Sequence, residues 1–162
     1  MPIPESKAKY TYADYLTWPK IANYLVNNPC RVFAAPFDLC IPEQDEEVDE
    51  EISNAVSQPD IVVVGDERKL RKTGYFGAPE LIIEITSTST AKWDKLIKFN
   101  KFEIAGVKEY WIVEPEQRIV SVFMLQENHR YGRAEVYAEE DKINVSIFPD
   151  LLIDLSPVFA GI

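Results

Sequence analysis

Short apolar runs separated by polar stretches organise this sequence. Runs that are rich in Val and Ile and almost continuously apolar occur at 60–65, 81–86 and 110–113. Strands covered on both faces of a sheet have this composition, so each run predicts a buried strand. Residues 31–37 predict another strand, which 39–41 continue past an irregularity at Pro36.

Alternation of apolar and polar residues marks the second half of the chain. Residues 118–125 and 133–137 alternate in this way, and the turn-forming residues 128–132 lie between them. This pattern predicts two antiparallel strands joined by a turn. Residues 143–148 predict a final strand, followed by a short C-terminal tail.

Residues 10–28 predict two helices. Thr11 and Asp14 resemble a capping box at the start of the first helix, and Pro19 ends or breaks it. The second helix is indicated by apolar residues at amphipathic spacing, namely Ile21, Tyr24 and Leu25.

A third helix is predicted at about residues 91–105, between two buried strands. Gly106 follows it and is a suitable terminator. The apolar residues expected to face the core are Trp93, Leu96, Ile97 and Ile104. Helices followed by strands, with one long crossover helix among them, predict an α/β or α+β fold in a single domain over residues 1–162.

Composition fits an ordinary globular chain. The sequence has 162 residues, of which 46% are hydrophobic and 27% are charged. No apolar run approaches the roughly 20 residues of a membrane span, and the start lacks a signal-peptide pattern. We expect a cytoplasmic protein in which Cys30 and Cys40 are reduced thiols, although a disulfide or a metal pair is possible.

Charge limits the possible partners. The 27 acidic and 17 basic residues give a net charge of −10, which argues against a general nucleic-acid coat protein. The acidic run at 43–51 is most simply a solvated loop. A local basic patch is still possible, and residues 68–72 supply two Arg and two Lys.

The strongest chemical candidates are Asp60 and Glu84, because each belongs to an apolar strand. A carboxylate in such a strand is costly unless it is paired or binds a cation. If the two strands are neighbours, the carboxylates can converge and hold Mg²⁺ or Mn²⁺. Spacing alone favours the simpler alternative, in which Glu84 marks the exposed side of an edge strand and Asp60 caps the other strand.

The predicted helix 91–105 adds a charged face. Asp94, Lys98 and Lys101 share that face at i, i+4 and i+7 spacing. The face is either solvated, with a weak Asp94–Lys98 ion pair, or it directs Lys98 towards the carboxylates. Spacing favours the solvated alternative. Tyr110 and Trp111 are interpreted as core residues rather than as a stacking platform for bases.

An ordered series of motifs resembles one known family. The series comprises Gln58–Asp66, Gly77–Thr90, Asp94–Lys98 and Ala105–Val113. Together these resemble the Uma-two (Uma2) family, a group assigned to the endonucleases within the PD-(D/E)XK superfamily, over about Tyr10 to Leu155. The resemblance implies a restriction-endonuclease-like mixed β-sheet flanked by helices.

The resemblance also implies roles for particular residues. Asp60 and Glu84 match the two acidic metal ligands, and the superfamily's frequent lysine two positions later is Thr86 here. The family's lysine is displaced to the following helix, which points to Lys98, and Asp94 matches the helix aspartate. Asp94 and Thr86 are therefore possible supporting residues, while Thr88 stands where the family usually has proline.

One departure concerns the N-terminal segment, which is shortened. The strand-containing stretch that family members carry between their first two helices is missing after Pro19. This departure predicts a homodimer that completes the sheet, or a degenerate member of the family.

An active protein would hydrolyse DNA phosphodiester bonds with Mg²⁺ or Mn²⁺. Residues 68–72, Lys92, Lys95 and Lys101 could contact phosphates. Alternatives are a catalytically inactive interaction or assembly module and a hydrolase acting on something other than duplex DNA.

Overall fold

The computed structural model describes residues 21–41, 56–72, 74–86 and 92–160. In the last of these ranges the side chains are described from residue 95 onwards. Six strands form the main sheet. In spatial order the strands are β1 (Arg31–Ala34), β4 (Ile61–Val64), β6 (Leu81–Ile85), β7 (Glu109–Glu114), β8 (Ile119–Met124) and β9 (Glu135–Ala138). The sheet is mixed, because β6 and β7 are parallel whereas the other neighbours are antiparallel.

The parallel pair requires a crossover connection, and a helix provides it. Helix α1 (Lys92–Ala105) joins β6 to β7. It ends where Gly106 takes a φ of 85°, and Val107 N–H donates to the Phe102 carbonyl at 3.1 Å. This geometry closes a helix and favours glycine, as the sequence predicted. The predicted mixed sheet flanked by helices is therefore confirmed.

Two smaller sheets flank the main one. The first contains β2 (Asp38–Cys40), β3 (Val56–Ser57) and β5 (Gly74–Phe76), with β2 in the centre. The second is the antiparallel pair β10 (Lys142–Asn144) and β11 (Leu152–Asp154), which is followed by helix α2 (Leu155–Phe159). Residues 21–24 are helical and continue into a 3-10 turn at Leu25–Asn27.

Each face of the main sheet packs against its own hydrophobic cluster. One face, with Trp111 at its centre, contacts the β10–β11 pair, α2 and Ile21. The other face contacts α1, through Phe99 and Phe102, and the β2–β3–β5 sheet. This double coverage explains why β4 and β6 are apolar at almost every position.

Several element predictions are confirmed and two are wrong. The buried strands, the antiparallel β8–β9 pair and the crossover helix form where the sequence predicted them. Residues 39–41 do not continue the strand predicted at 31–37, because β1 ends at Ala34 in the main sheet whereas β2 belongs to a smaller sheet. Residues 143–148 do not form one strand, because the chain turns after Asn144 and returns as β11. The segments 10–20, 43–51 and 87–90 lie outside the described residues.

The predicted core face of α1 is wrong at three of its four residues, and the side chain of the fourth, Trp93, lies outside the described part of the helix. Leu96, Ile97 and Ile104 are exposed, at 51%, 58% and 64% of their surface. Phe102 is fully buried instead, and its ring meets that of Tyr110 edge-on, with 5.1 Å between centroids. The two aromatic side chains bury a larger apolar surface than the aliphatic ones could, so they determine how the helix is rotated about its axis.

Cys30 and Cys40 are free thiols, as expected. None of the helices among the described residues is both long enough and apolar enough to cross a membrane. The cytoplasmic location, the homodimer and the single domain stay predictions.

A buried carboxylate connects the main sheet to the C-terminal hairpin. Glu109, at the start of β7, is completely buried. Its Oε1 accepts a 2.8 Å hydrogen bond from the indole N–H of Trp111, and its Oε2 accepts bonds from Ser146 Oγ at 2.9 Å and from Ile147 N at 3.4 Å. Because the buried indole N–H of Trp111 would otherwise be left unsatisfied, and because the other two donors belong to the connection between β10 and β11, Glu109 stabilises the junction between β7 and the β10–β11 pair.

We expect Glu109→Ala to lower the free energy of unfolding by about 3 kcal/mol, since it removes three hydrogen bonds and leaves a cavity. Ser146→Ala removes one donor and should cost about 1 kcal/mol. Chemical denaturation measures both values. The control Glu127→Ala, in an exposed turn, should change stability by less than about 0.5 kcal/mol. A similar value for Glu109→Ala and Glu127→Ala would contradict the proposed stabilisation.

Candidate functional site

Asp60 and Glu84 face each other across two adjacent strands. In the antiparallel β4–β6 pair, Ile61 lies opposite Ile83, and one step further along this register Asp60 lies opposite Glu84. Directly opposed residues project from the same face of a sheet, with their Cβ atoms about 5 Å apart. Ile82, two positions before Glu84, packs in the cluster beneath α1. The two carboxylates therefore share the face that α1 covers.

The backbone holds Asp60 in place. Its carbonyl accepts a hydrogen bond from Ala35 N–H at 2.9 Å, just beyond the end of β1. Its Oδ2 accepts a 2.7 Å bond from the backbone N–H of Ile85, the residue after Glu84. The Asp60 carboxylate is thus attached directly to the strand that carries Glu84.

Glu84 is buried in a nearly apolar environment, with 5% of its surface exposed. Its Oε2 lies 3.2 Å from Lys98 Nζ, whereas its Oε1 is buried without a hydrogen-bond partner. The pKa of Glu84 is raised from 4.5 to about 7: burial is the main cause, Lys98 opposes the rise, and the negative charge of Asp60 adds to it. Two carboxylates and one amine therefore interact at this position.

Lys98 reaches the site from α1, and 42% of its side chain is exposed. The spacing of charges along the helix favoured a fully solvated Lys98. The structure differs, because the amine of Lys98 contacts Glu84. The side chain of Asp94 lies outside the described part of the helix, so its supporting role stays a prediction.

An ion pair that the sequence pattern did not indicate lies beside the carboxylates. Glu114 ends β7, and its Oε1 lies 2.6 Å from Lys95 Nζ, one helical turn before Lys98. Since β6 and β7 are parallel, their carboxyl ends meet at the same edge of the sheet, which brings Glu114 near Thr86. The position of Glu114 could have been inferred from the sequence, because side chains alternate along strand 109–114 and Glu114 therefore lies on the same face as Tyr110 and Ile112.

The basic loop predicted to contact phosphates lies elsewhere. It follows β4 through the 3-10 turn Glu67–Lys69, whereas Asp60 precedes β4. The four residues of β4 separate these ends by about 13 Å along the strand. Arg68 also pairs with Asp66 at 3.0 Å. Among the predicted phosphate contacts, Lys95 does lie at the carboxylate edge, where it pairs with Glu114.

The donor set at this edge fits a hard divalent cation. Mg²⁺ and Mn²⁺ prefer oxygen ligands, and Asp60 and Glu84 supply two carboxylates. Two buried oxygens, Glu84 Oε1 and Thr86 Oγ1, have no hydrogen-bond partner. The described residues contain no group of three or more His, Cys, Asp or Glu side chains that could hold a metal.

Comparison with known proteins identifies the family. The family model "Uma2: Putative restriction endonuclease" matches residues 9–156. The chain belongs to the Uma2 family. The resemblance found in the sequence motifs is therefore confirmed. No curated protein matches the chain.

A solved structure supports the fold. The crystal structure of a protein from Anabaena variabilis ATCC 29413, described as a putative nuclease belonging to DUF820, matches with a TM-score of 0.72. The two proteins share 17% sequence identity over 98% of this chain and 83% of the other. At 17% identity the likeness establishes the fold alone. That fold is the mixed sheet flanked by helices that the resemblance to the Uma2 family implied.

The raised pKa of Glu84 predicts how stability depends on pH in metal-free protein. In the unfolded chain the carboxyl ionises near pH 4.5, and in the folded chain it ionises near pH 7. Folding therefore favours the protonated carboxyl, so its contribution is fully present below pH 4.5 and is lost as pH rises to about 7. The difference corresponds to about 3 kcal/mol.

We expect Glu84→Gln to match the wild type near pH 4.5 and to be more stable by up to about 3 kcal/mol at pH 8, because the amide carries no charge to bury. Urea denaturation in the presence of a chelator measures this difference. The exposed control Glu127→Gln should stay within about 0.5 kcal/mol of the wild type at both pH values. Equal stability of Glu84→Gln and the wild type at pH 8 would contradict the burial effect.

Proposed function

We propose that this protein is a metal-dependent endonuclease that hydrolyses phosphodiester bonds of DNA. The observation that carries the proposal is the convergence of three groups on one sheet face: Asp60 and Glu84 opposite each other, and the amine of Lys98 at 3.2 Å from Glu84. Membership in a family whose model is described as "Putative restriction endonuclease" supports nuclease chemistry. Metal dependence and the DNA substrate are the parts that the proposal adds.

The carboxylates and the amine have different roles in this proposal. Asp60 and Glu84 hold a Mg²⁺ or Mn²⁺ ion, which when bound supplies Lewis-acid activation and neutralises charge on the scissile phosphate. The bond from Ile85 N–H fixes one oxygen of Asp60, so this carboxylate is preorganised. Lys98 contacts Glu84 and is partly exposed, so its amine can also stabilise negative charge that develops on the phosphate.

Metal binding by the carboxylates is tested with Mn²⁺. We expect calorimetric titration to detect one Mn²⁺ site in the wild type, and we expect Asp60→Asn and Glu84→Gln to abolish it, because each removes a charged ligand. Glu80→Gln is a matched control, because Glu80 precedes β6 and pairs with Lys108 at 2.6 Å instead of facing Asp60. It should bind Mn²⁺ as the wild type does.

Cleavage is measured on the same variants with duplex DNA, single-stranded DNA and RNA. Asp60→Asn and Glu84→Gln should lose activity, and Lys98→Gln should lower kcat about 100-fold without weakening Mn²⁺ binding. Activity retained by Asp60→Asn would contradict the site. Absence of Mn²⁺ binding to the wild type at millimolar concentration would instead favour the inactive interaction module.

DNA binding should depend on lysines at the carboxylate edge. Lys95 lies beside Glu114 at this edge, whereas Lys69 lies beyond the opposite end of β4. We expect Lys95→Gln to weaken binding of a DNA duplex, because one phosphate contact is lost. The slope of the logarithm of the binding constant against the logarithm of the salt concentration should become smaller in magnitude by about one. Fluorescence anisotropy at several salt concentrations, in buffer that contains Ca²⁺, measures the affinity for the duplex and this slope. Lys69→Gln should leave both quantities unchanged, and the reverse result would place the DNA on the other edge.

A further inference from the structure

We infer that the Thr86 hydroxyl is a third protein oxygen in the cation site, acting with Asp60 and Glu84 as a ligand for one hard divalent cation. This inference rests on the proposed function, because it concerns the same cation. It assigns a role to a side chain that carries no charge and for which spacing gave no specific function.

The strand places Thr86 on the correct face. Its backbone N–H donates to the Val113 carbonyl at 2.9 Å, so the pairing of β6 with β7 continues one residue beyond Ile85. Side chains two positions apart in a strand project to the same side. Thr86 therefore follows Glu84 on the face that α1 covers, at the edge where Glu114 and Lys95 pair.

The hydroxyl is buried without a partner. Thr86 Oγ1 is inaccessible to solvent and makes no hydrogen bond, and the same is true of Glu84 Oε1. Buried polar atoms in folded proteins are nearly always hydrogen-bonded or bound to an ion or water. Two unsatisfied oxygens on consecutive positions of one strand face therefore indicate a polar occupant between them that is not a side chain.

The charge of the surroundings selects the kind of occupant. Asp60 and Glu84 are acidic and interact with each other electrostatically, so an anion would be repelled. A divalent cation would be attracted, and a hydroxyl oxygen is a hard ligand that can coordinate it.

The chain offers a matched control for a buried hydroxyl. Ser57 Oγ, on β3 of the smaller sheet, is also buried without a hydrogen-bond partner. Removing it tests what the loss of an unsatisfied hydroxyl does by itself, away from the carboxylates. Thr86→Ser is the complementary variant, because it keeps the hydroxyl and removes only a methyl group.

The experiment titrates Mn²⁺ into each chelator-treated protein and follows the free ion by electron paramagnetic resonance. We expect Thr86→Val to raise the Kd for Mn²⁺ about fivefold to tenfold, and we expect Thr86→Ser and Ser57→Ala to stay within about twofold of the wild type. Without metal, Thr86→Val should raise Tm by about 2 to 4 °C, because an unsatisfied buried hydroxyl is replaced by a methyl group of similar size. Thr86→Ala repeats the binding test if the valine variant does not fold.

Each alternative result has a distinct meaning. Wild-type binding together with an unchanged Kd in Thr86→Val overturns the hydroxyl ligand and leaves the proposed function intact. An equal loss of affinity in Ser57→Ala overturns it as well, since the effect would then be general. A lower metal-free Tm in Thr86→Val overturns it by revealing a protein partner for the hydroxyl. Absence of Mn²⁺ binding to the wild type overturns the proposed function and this inference together.

Discussion

The placement of Glu84 beside Asp60 under a helix is the constraint on which the rest of the site depends. Two carboxylates lie close together, and one of them is almost completely removed from water. Desolvation and like-charge repulsion both oppose ionisation of Glu84, and the single amine of Lys98 offsets them only in part. A site with this balance gains most from an additional positive charge, which is what the proposed divalent cation would supply.

The fold creates this arrangement through two different pairings of β6. On one side the antiparallel register with β4 places Asp60 opposite Glu84. On the other side the parallel register with β7 requires a crossover, and the crossover helix carries Lys98 over the same face. The aromatic contacts of Phe99 and Phe102 then fix the rotation of the helix, so the amine points to the sheet although its own neighbours Leu96 and Ile97 are exposed.

The sequence predicted those features that depend on local pattern. Continuous apolar runs identified β4, β6 and β7, Gly106 identified the end of α1, and acidic residues within apolar strands identified Asp60 and Glu84. Features that depend on tertiary choices were missed. Strands β3 and β5 have two and three residues, too few for a period to be visible. The helix face was misassigned because aliphatic and aromatic residues compete for the core, and only the shape of the sheet decides between them. Glu109 resembled any charged residue before a strand, although it is completely buried.

Glu109 and Glu84 are both buried carboxylates, but they differ in how completely their oxygens are hydrogen-bonded. Both occupy strands of the same sheet and both are nearly inaccessible. Glu109 accepts hydrogen bonds at both oxygens from neutral donors, so its environment is complete and its role is structural. Glu84 has one oxygen paired with a half-exposed amine and the other unpaired, with a second unpaired oxygen at Thr86 two positions away. The distinguishing property is unsatisfied hydrogen-bonding capacity concentrated on one face, because a structural site gains stability by filling that capacity whereas a binding site keeps it for a ligand.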